Sequence, residues 1–292
     1  MRNFTMKETT ERKNPKRKKL FIIIAAVLLA AVIAEFIRSN YVIDTEKITY
    51  HNSSIPVGFD GAVIVQVSDY HNHGGKYDDR LTEKIKEQDP DYIFLTGDIA
   101  DSILTDIDKA NAFLEKVSEI APCYLVWGNH DNDIEQQDKD SMIKCCEENG
   151  ITVLDSETTY LRRGEDKILL TGTSDYLYSN KVDEMMKDYP AQDQFTIWLH
   201  HYPEDFHEIV DMSSQAGCQA DLIFTGHAHG GLFGFPFPNG LYAPGQGFLP
   251  EYTSGEYTYN GSEMIVSRGV GNSGYTRRFA DSFHLVVVTL KK

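Results

Sequence analysis

The sequence predicts an α/β domain of layered sheets preceded by one N-terminal transmembrane helix, and three observations carry that prediction. Short apolar, β-branched runs alternate along the chain with polar or amphipathic stretches of helical length. Five of these runs end in Asp, Asn or His, at the strand edge where α/β sheets form ligand crevices. Near the N-terminus a charge-free apolar segment follows a cluster of lysines.

That segment is the first element. Lys13, Lys16, Arg17, Lys18 and Lys19 precede residues 20–34, which carry no charge, and the apolar character continues past Glu35 through Phe36 and Ile37. The eighteen residues 20–37 would span about 27 Å as a helix, against a hydrocarbon core of about 30 Å, with Lys19 and Arg38 reaching toward the two surfaces. Such a helix contacts the lipid bilayer, keeps the basic tail, 1–19, cytoplasmic and places the body on the extracytoplasmic side of the cell membrane. A signal peptide cleaved after Val32-Ile33-Ala34 is the alternative reading. Residues 38–60, punctuated by Pro56 and Gly58, are expected to hold a linker and the first strand.

The remaining residues, 61–292, form the body. Strands are expected over 62–67, 92–95, 123–127, 168–170, 195–199, 222–224, 264–266 and 284–290. Helices are expected over 79–88, 106–120, 138–149 and 181–187. Residues 230–259, rich in Gly, Pro and aromatics, are expected as a long ordered loop with short strands. Its Phe233, Phe235, Phe237, Tyr242 and Phe248 would make either the loop's own small core or an apolar wall for a lipid-like or aromatic substrate.

Charge narrows the function. Nine of the 28 basic residues but only three of the 44 acidic ones lie in 1–38, which leaves the rest of the chain with a balance of −22. A body of that sign repels polyanions, so nucleic acid is not expected as a partner. The four cysteines, Cys123, Cys145, Cys146 and Cys218, contain no C-x-x-C and are too few for a disulfide scaffold of this size.

The strand ends carry the chemistry. Asp69 and His71 follow one run, Asp98 and Asp101 the next, and Asn129, His130 and Asp131 the third. His200 and His201 follow "FTIWL", and His227 and His229 follow "LIFTG". Taken singly, each Asp or Asn reads as readily as a helix cap or turn residue. Taken together, Asp69, His71, Asp98, Asn129, one of His200 and His201, His227 and His229 are too many donors for one tetrahedral zinc, but suit two ions sharing a carboxylate. Without a thiolate in the set, the ions expected are Mn²⁺, Fe or Zn²⁺.

These residues also fall into motifs: D-x-H at Asp69–His71, G-D-x-x-D at Gly97–Asp101, G-N-H-D at Gly128–Asp131, H-x-P at His201–Pro203 and G-H-x-H at Gly226–His229. In that order they resemble the calcineurin-like metallophosphoesterases, in particular a bacterial membrane-associated branch, over residues 63–290. The resemblance implies a four-layer α/β/β/α sandwich and hydrolysis of a phosphate ester or phosphodiester by hydroxide held between two divalent ions. It further implies that Asp69, His71 and His229 hold one ion, that Asn129, His201 and His227 hold the other, and that Asp98 bridges them. His130 would act at the phosphoryl or leaving-group oxygen, with Asp131 orienting it and Asp101 fixing a ligand. His201 is preferred to His200 by the H-x-P register alone.

Substrates left open are phosphorylated small molecules, lipid-linked phosphates and envelope polymers, and no protein partner is implied. Arg277 and Arg278 are expected either to clamp phosphate or to form salt bridges. His73 is expected in a loop near substrate, and His51, His207 and His284 at the surface or in packing. A phosphate-sensing module that does not turn over is the alternative function. A zinc peptidase is excluded, because His207-Glu208 lacks the second histidine of H-E-x-x-H.

Overall fold

The computed structural model describes residues 15–174, 177–190, 194–234, 237 and 239–292. Lys13 with the first part of the expected basic tail, and Phe235, lie outside the described residues. Helix α1 (Pro15–Tyr41) leads into β1 (Ile43–His51). There follow β2 (Val63–Val67), α2 (Lys76–Lys86), β3 (Tyr92–Thr96), α3 (Ile107–Ser118), β4 (Cys123–Val126), the short α4 (Asn129–Asn132), α5 (Gln136–Glu148) and β5 (Thr152–Val153). The second half comprises β6 (Glu157–Arg163), β7 (Asp166–Gly172), α6 (Asn180–Lys187), β8 (Thr196–Leu199), α7 (Phe206–Gln215) and β9 (Leu222–Thr225). It closes with β10 (Tyr242–Ala243), β11 (Gly247–Phe248), β12 (Gly255–Tyr259), β13 (Ser262–Val266) and β14 (Phe283–Lys291).

Two six-stranded sheets result, ordered β1-β14-β2-β3-β4-β5 and β12-β13-β9-β8-β7-β6. Within the first, β2, β3, β4 and β5 are parallel, and within the second so are β7, β8, β9 and β13. Parallel strands buried on both faces need apolar residues at every position, and "YIFL" in β3 and "LIF" in β9 meet that need. Alternate residues serve opposite layers. Ile64 and Phe94 meet Leu199 and Phe224 between the sheets, while Val65, Val67, Ile93 and Leu95 pack on Leu81 of α2, Phe113 of α3 and Met142 of α5. Trp198 and Ile223, on the outer side of the second sheet, pack on Phe206, Ile209 and Val210 of α7. The order helices, sheet, sheet, helices is the expected four-layer sandwich.

Local signals set several ends. The Asp106 side chain accepts a bond from Lys109 N at the start of α3, and Ser179 accepts one from Val182 N at the start of α6. Helix α7 was not expected, although Phe206, Ile209 and Val210 have i, i+3, i+4 spacing. Strand β6 was also not expected: it is an edge strand with a largely exposed polar face, paired only with β7. In the loop after β9, Tyr242 and Phe248 face each other across β10 and β11 at 5.4 Å, so these two rings pack within the loop. All four cysteines are buried and unbridged. Helix α1 is long and apolar enough to cross a membrane, and the body buries none of its apolar window.

One edge of the second sheet brings two carboxylates together. Glu263 on β13 lies diagonally across from Glu256 on β12. Burial pushes the Glu263 carboxyl up to about 7, and Glu256 adds to the rise. A raised carboxyl pKa favours the protonated fold, so this contribution is complete below pH 4.5, the ordinary value, and is lost as pH rises through about 7. Glu263→Gln is therefore expected to raise the melting temperature at pH 8 by about 2 °C or more, with little change at pH 5. Equal shifts at both pH values in thermal melts would contradict this.

Candidate metal centre

The parallel strands bring five loops to one edge. Asp69 N donates to Gly97 O and His71 N to Asp98 O, which joins the loops after β2 and β3. Gly226 N donates to His201 O, which joins those after β9 and β8. Five chemistry-bearing residues then turn left-handed: Asp69, His71, Asp98, His227 and His229 have φ of 53°, 50°, 55°, 64° and 48°. Such positions cost about 1–3 kcal/mol each and gather at functional sites. Asp and His tolerate them better than most residues. Close approach matters equally. A Cβ on Gly128 would collide with the Asp98 carboxylate, and one on Gly226 with Ser68 Oγ.

Among the described residues the side chains converge in three groups able to hold a metal: Asp69, His71 and His229; His71, Asp98 and His130; and Asp98, His201 and His227. Asp98 is common to two of them. Its Oδ2 lies 3.2 Å from His201 Nε2 and 3.7 Å from His71 Nε2, and its Oδ1 accepts the His130 N–H at 2.8 Å. His229 Nε2 is 3.6 Å from Asp69 Oδ1, and His227 Nδ1 is 3.2 Å from His201 Nε2. Asn129 Oδ1 and both ring nitrogens of His71 are buried without a hydrogen-bond partner among the described residues. Buried oxygen and imidazole donors left open toward one another, with no thiolate among them, fit hard or borderline divalent ions.

Polar contacts orient the rings. His201 Nδ1 lies 2.7 Å from the Thr96 carbonyl, which can only accept, so Nδ1 carries a proton; Nε2 faces Asp98, which favours a proton there as well, and it is Nε2 that would give up its proton to ligate an ion. His71 Nδ1 lies within ion-pair distance of Asp101 Oδ2, at 3.1 Å, although the two are not aligned as a hydrogen bond. Asp101 is itself fixed by Ile103 N and Leu104 N on one oxygen and Gly274 N on the other. Ser102 N donates to His130 Nδ1 at 3.1 Å, which leaves the neutral ring's proton on Nε2, beside Ser273 Oγ at 3.1 Å. Asp131 is placed differently from expectation. Its oxygens take Ala100 N at 2.7 Å and Gly128 N at 3.0 Å, so it ties two loops together, and the groups that hold the His130 ring are Ser102 and Ser273.

The adjacent histidines point apart. His200 Nδ1 lies 2.8 Å from Thr173 Oγ1 and its Nε2 3.1 Å from Asp205, whereas His201 faces Asp98. Arg278 is wholly buried, paired with Asp281 at 3.2 Å, and 3.0 Å from His229 Nδ1. It is a structural cation, and Arg277 is the exposed one of the two. His284 is buried beside Glu46, and His207 stacks on Tyr259. Ser102, Ser273 and Arg278's contact with His229 belong to no motif, and only position in the fold reveals them.

Electrostatics favour the ligating forms of several donors. Burial opposes charge on Asp98, but His201 outweighs it and holds the carboxyl well below the usual range. Burial keeps His227 and His229 neutral, the first with a pKa lowered to about 3, helped by His201, and the second helped by Arg278. An opening of about 270 Å³ lies between His71, His73 and Asn272, and another of about 310 Å³ beside Asn129, Tyr202 and His227.

Comparison with known proteins agrees with this geometry. Residues 62–231 match the family model for calcineurin-like phosphoesterase. The uncharacterized metallophosphoesterase YkuE of Bacillus subtilis is 29% identical over 265 residues, covering 86% of this chain and 86% of its own. The phosphodiesterase YaeI of Escherichia coli is 28% identical over 64% of this chain and 65% of its own. A transmembrane protein with metallophosphoesterase domain from Danio rerio is 24% identical over 94% of this chain and 62% of its own. A family match across more than half the chain, on strands that deliver Asp, Asn and His to one buried cluster, places this protein among the calcineurin-like phosphoesterases, hydrolases of phosphate esters.

Proposed function

We propose that the chain is a membrane-tethered phosphodiesterase with a dinuclear centre, its body outside the cytoplasmic membrane. The observation that supports it most is Asp98, shared between the donor groups of His71 and His201. Asp69, His71 and His229 would hold one divalent ion and Asn129, His201 and His227 the other, with Asp98 between them. Bound there, two Mn²⁺, Fe or Zn²⁺ ions supply Lewis acidity toward a phosphoryl group and make water acidic enough to attack near neutral pH.

The residues of the chain do the rest. Asp101 fixes the His71 ring, and Thr96 O fixes that of His201. His130 presents an Nε2 proton to a phosphoryl or leaving-group oxygen, and Ser102 N holds the tautomer that makes this possible. The name of the Escherichia coli relative favours a diester for assay. The basic residues Lys16–Lys19 before the apolar stretch of α1 favour a cytoplasmic N-terminus.

Hydrolysis of bis(p-nitrophenyl) phosphate is expected with Mn²⁺ and is expected to stop with chelator. Asp98→Asn and His229→Ala should abolish it with the circular dichroism spectrum retained, and normal turnover by either variant would refute the ligand assignment. Asp101→Asn is expected to lower activity about 10–100-fold, as loss of a group that orients a ligand does. In intact cells, added protease should digest the body, and full protection would reverse the proposed orientation.

A further inference from the structure

The last turn of α1 is part of the wall of the catalytic pocket. Ser39 and Asn40 are buried, whereas Phe36 and Ile37 are exposed. The apolar surface of the helix therefore ends about 5 Å along its axis from Asn40. Asn40 Nδ2 donates to the Arg278 carbonyl at 2.9 Å, and its Oδ1 accepts from Arg278 N and Asn272 Nδ2, each at 3.1 Å. Arg278 in turn touches His229. Only Val42 separates helix from β1, and Arg38 reaches Ser282 at 3.3 Å and Asp44 at 3.5 Å. A catalytic body meant only for soluble esters needs no such rigid seat; a flexible tether would serve it.

The pocket on the His71 side lies between Asn40 and Tyr41 of the helix and His71 and His73 of the site, with Arg277 at its rim. In a strongly acidic body this mouth is cationic. Arg277 and Arg80 are exposed, and Arg80 donates to the Tyr41 carbonyl. Apolar side chains surround it: Tyr41, Ile103, Leu104 and Tyr275 are 59%, 58%, 44% and 77% exposed. Ile103 packs on Gly274 of the pocket, and the Leu104 carbonyl accepts from Asn72. Aromatic and aliphatic side chains mixed with arginine suit the headgroup layer of a bilayer.

We propose that the substrate is a membrane amphiphile whose phosphate ester enters this pocket from the bilayer while its apolar part stays in the membrane. This rests on the phosphoesterase and anchoring readings above. Water adds across the P–O bond: its oxygen bonds to phosphorus, the ester oxygen leaves with a proton, and the apolar product remains in the bilayer.

The test uses the full chain reconstituted in phosphatidylcholine vesicles and two esters with the same leaving group. Ethyl p-nitrophenyl phosphate is free in water; hexadecyl p-nitrophenyl phosphate is placed either in the same vesicles or in separate, protein-free ones. Confinement to one surface raises effective concentration, so the hexadecyl ester in the same vesicles should react about 10-fold faster or more than either alternative. Equal rates in same and separate vesicles, or no advantage over the ethyl ester, would overturn the inference and leave the phosphoesterase reading standing. No p-nitrophenol from either ester would overturn both.

A second readout needs no turnover. With chelator present, Tyr275→Trp should be quenched by brominated phosphatidylcholine more strongly than Val57→Trp, which lies beyond the far end of β1, about 30 Å from the helix. Trp127 and Trp198 are buried and contribute a constant background. Equal quenching of the two variants would overturn the placement of the pocket at the bilayer.

Discussion

Asp98 must lie, shielded from water, between imidazoles that come from two different sheets, and much of the local architecture follows from that requirement. A buried carboxylate costs several kcal/mol unless it is paired and hydrogen-bonded. Here His201 Nε2 at 3.2 Å and the His130 N–H at 2.8 Å supply the pairing. The carboxylate fits there because Gly128 has no side chain to strike it. The left-handed turn at Asp98 lets its carbonyl accept from His71 N, so one strained residue joins two loops. The same logic recurs at Asp69, whose carboxylate takes the His227 N–H.

The close link between α1 and the body extends this unit toward the apolar helix. Asn40 bonds the backbone of Arg278, and the Arg278 side chain holds Asp281 and reaches His229. Displacement of the helix end would therefore be felt at a candidate metal ligand through two contacts. Position and chemistry are coupled by packing, and no mobile element is needed between them. The arginines at the pocket mouth act in the opposite sense to the acidic body and set the field where a phosphate would approach.

Much of the fold was legible because buried parallel strands must be apolar throughout. "VIVQV", "YIFLT", "CYLV", "TIWL" and "LIFT" announce themselves, and an Asp, Asn or His placed just beyond such a run has the sheet edge as its only destination. Edge strand β6 escaped because "ETTYLRR" has a polar, half-exposed face and so lacks a strong apolar signal. Adjacent His200 and His201 could not be told apart by type; alternation at the end of β8 sends one to Thr173 and the other to Asp98. Ser102, Ser273 and Asn40 were invisible for another reason. Each acts through a hydrogen bond to a residue far along the chain, and nothing in its neighbours' identities marks that partner. The contacts of Asp131 were invisible too, since its partners are backbone N–H groups, which leave no trace in a sequence.

The central claim is that one carboxylate, that of Asp98, serves two ions at once. Electron paramagnetic resonance of the full chain saturated with Mn²⁺ tests it most directly, because ions that share a ligand are magnetically coupled. A coupled, broadened multiline spectrum is the predicted result. The hyperfine sextet of isolated Mn²⁺, retained at full loading, would contradict the account.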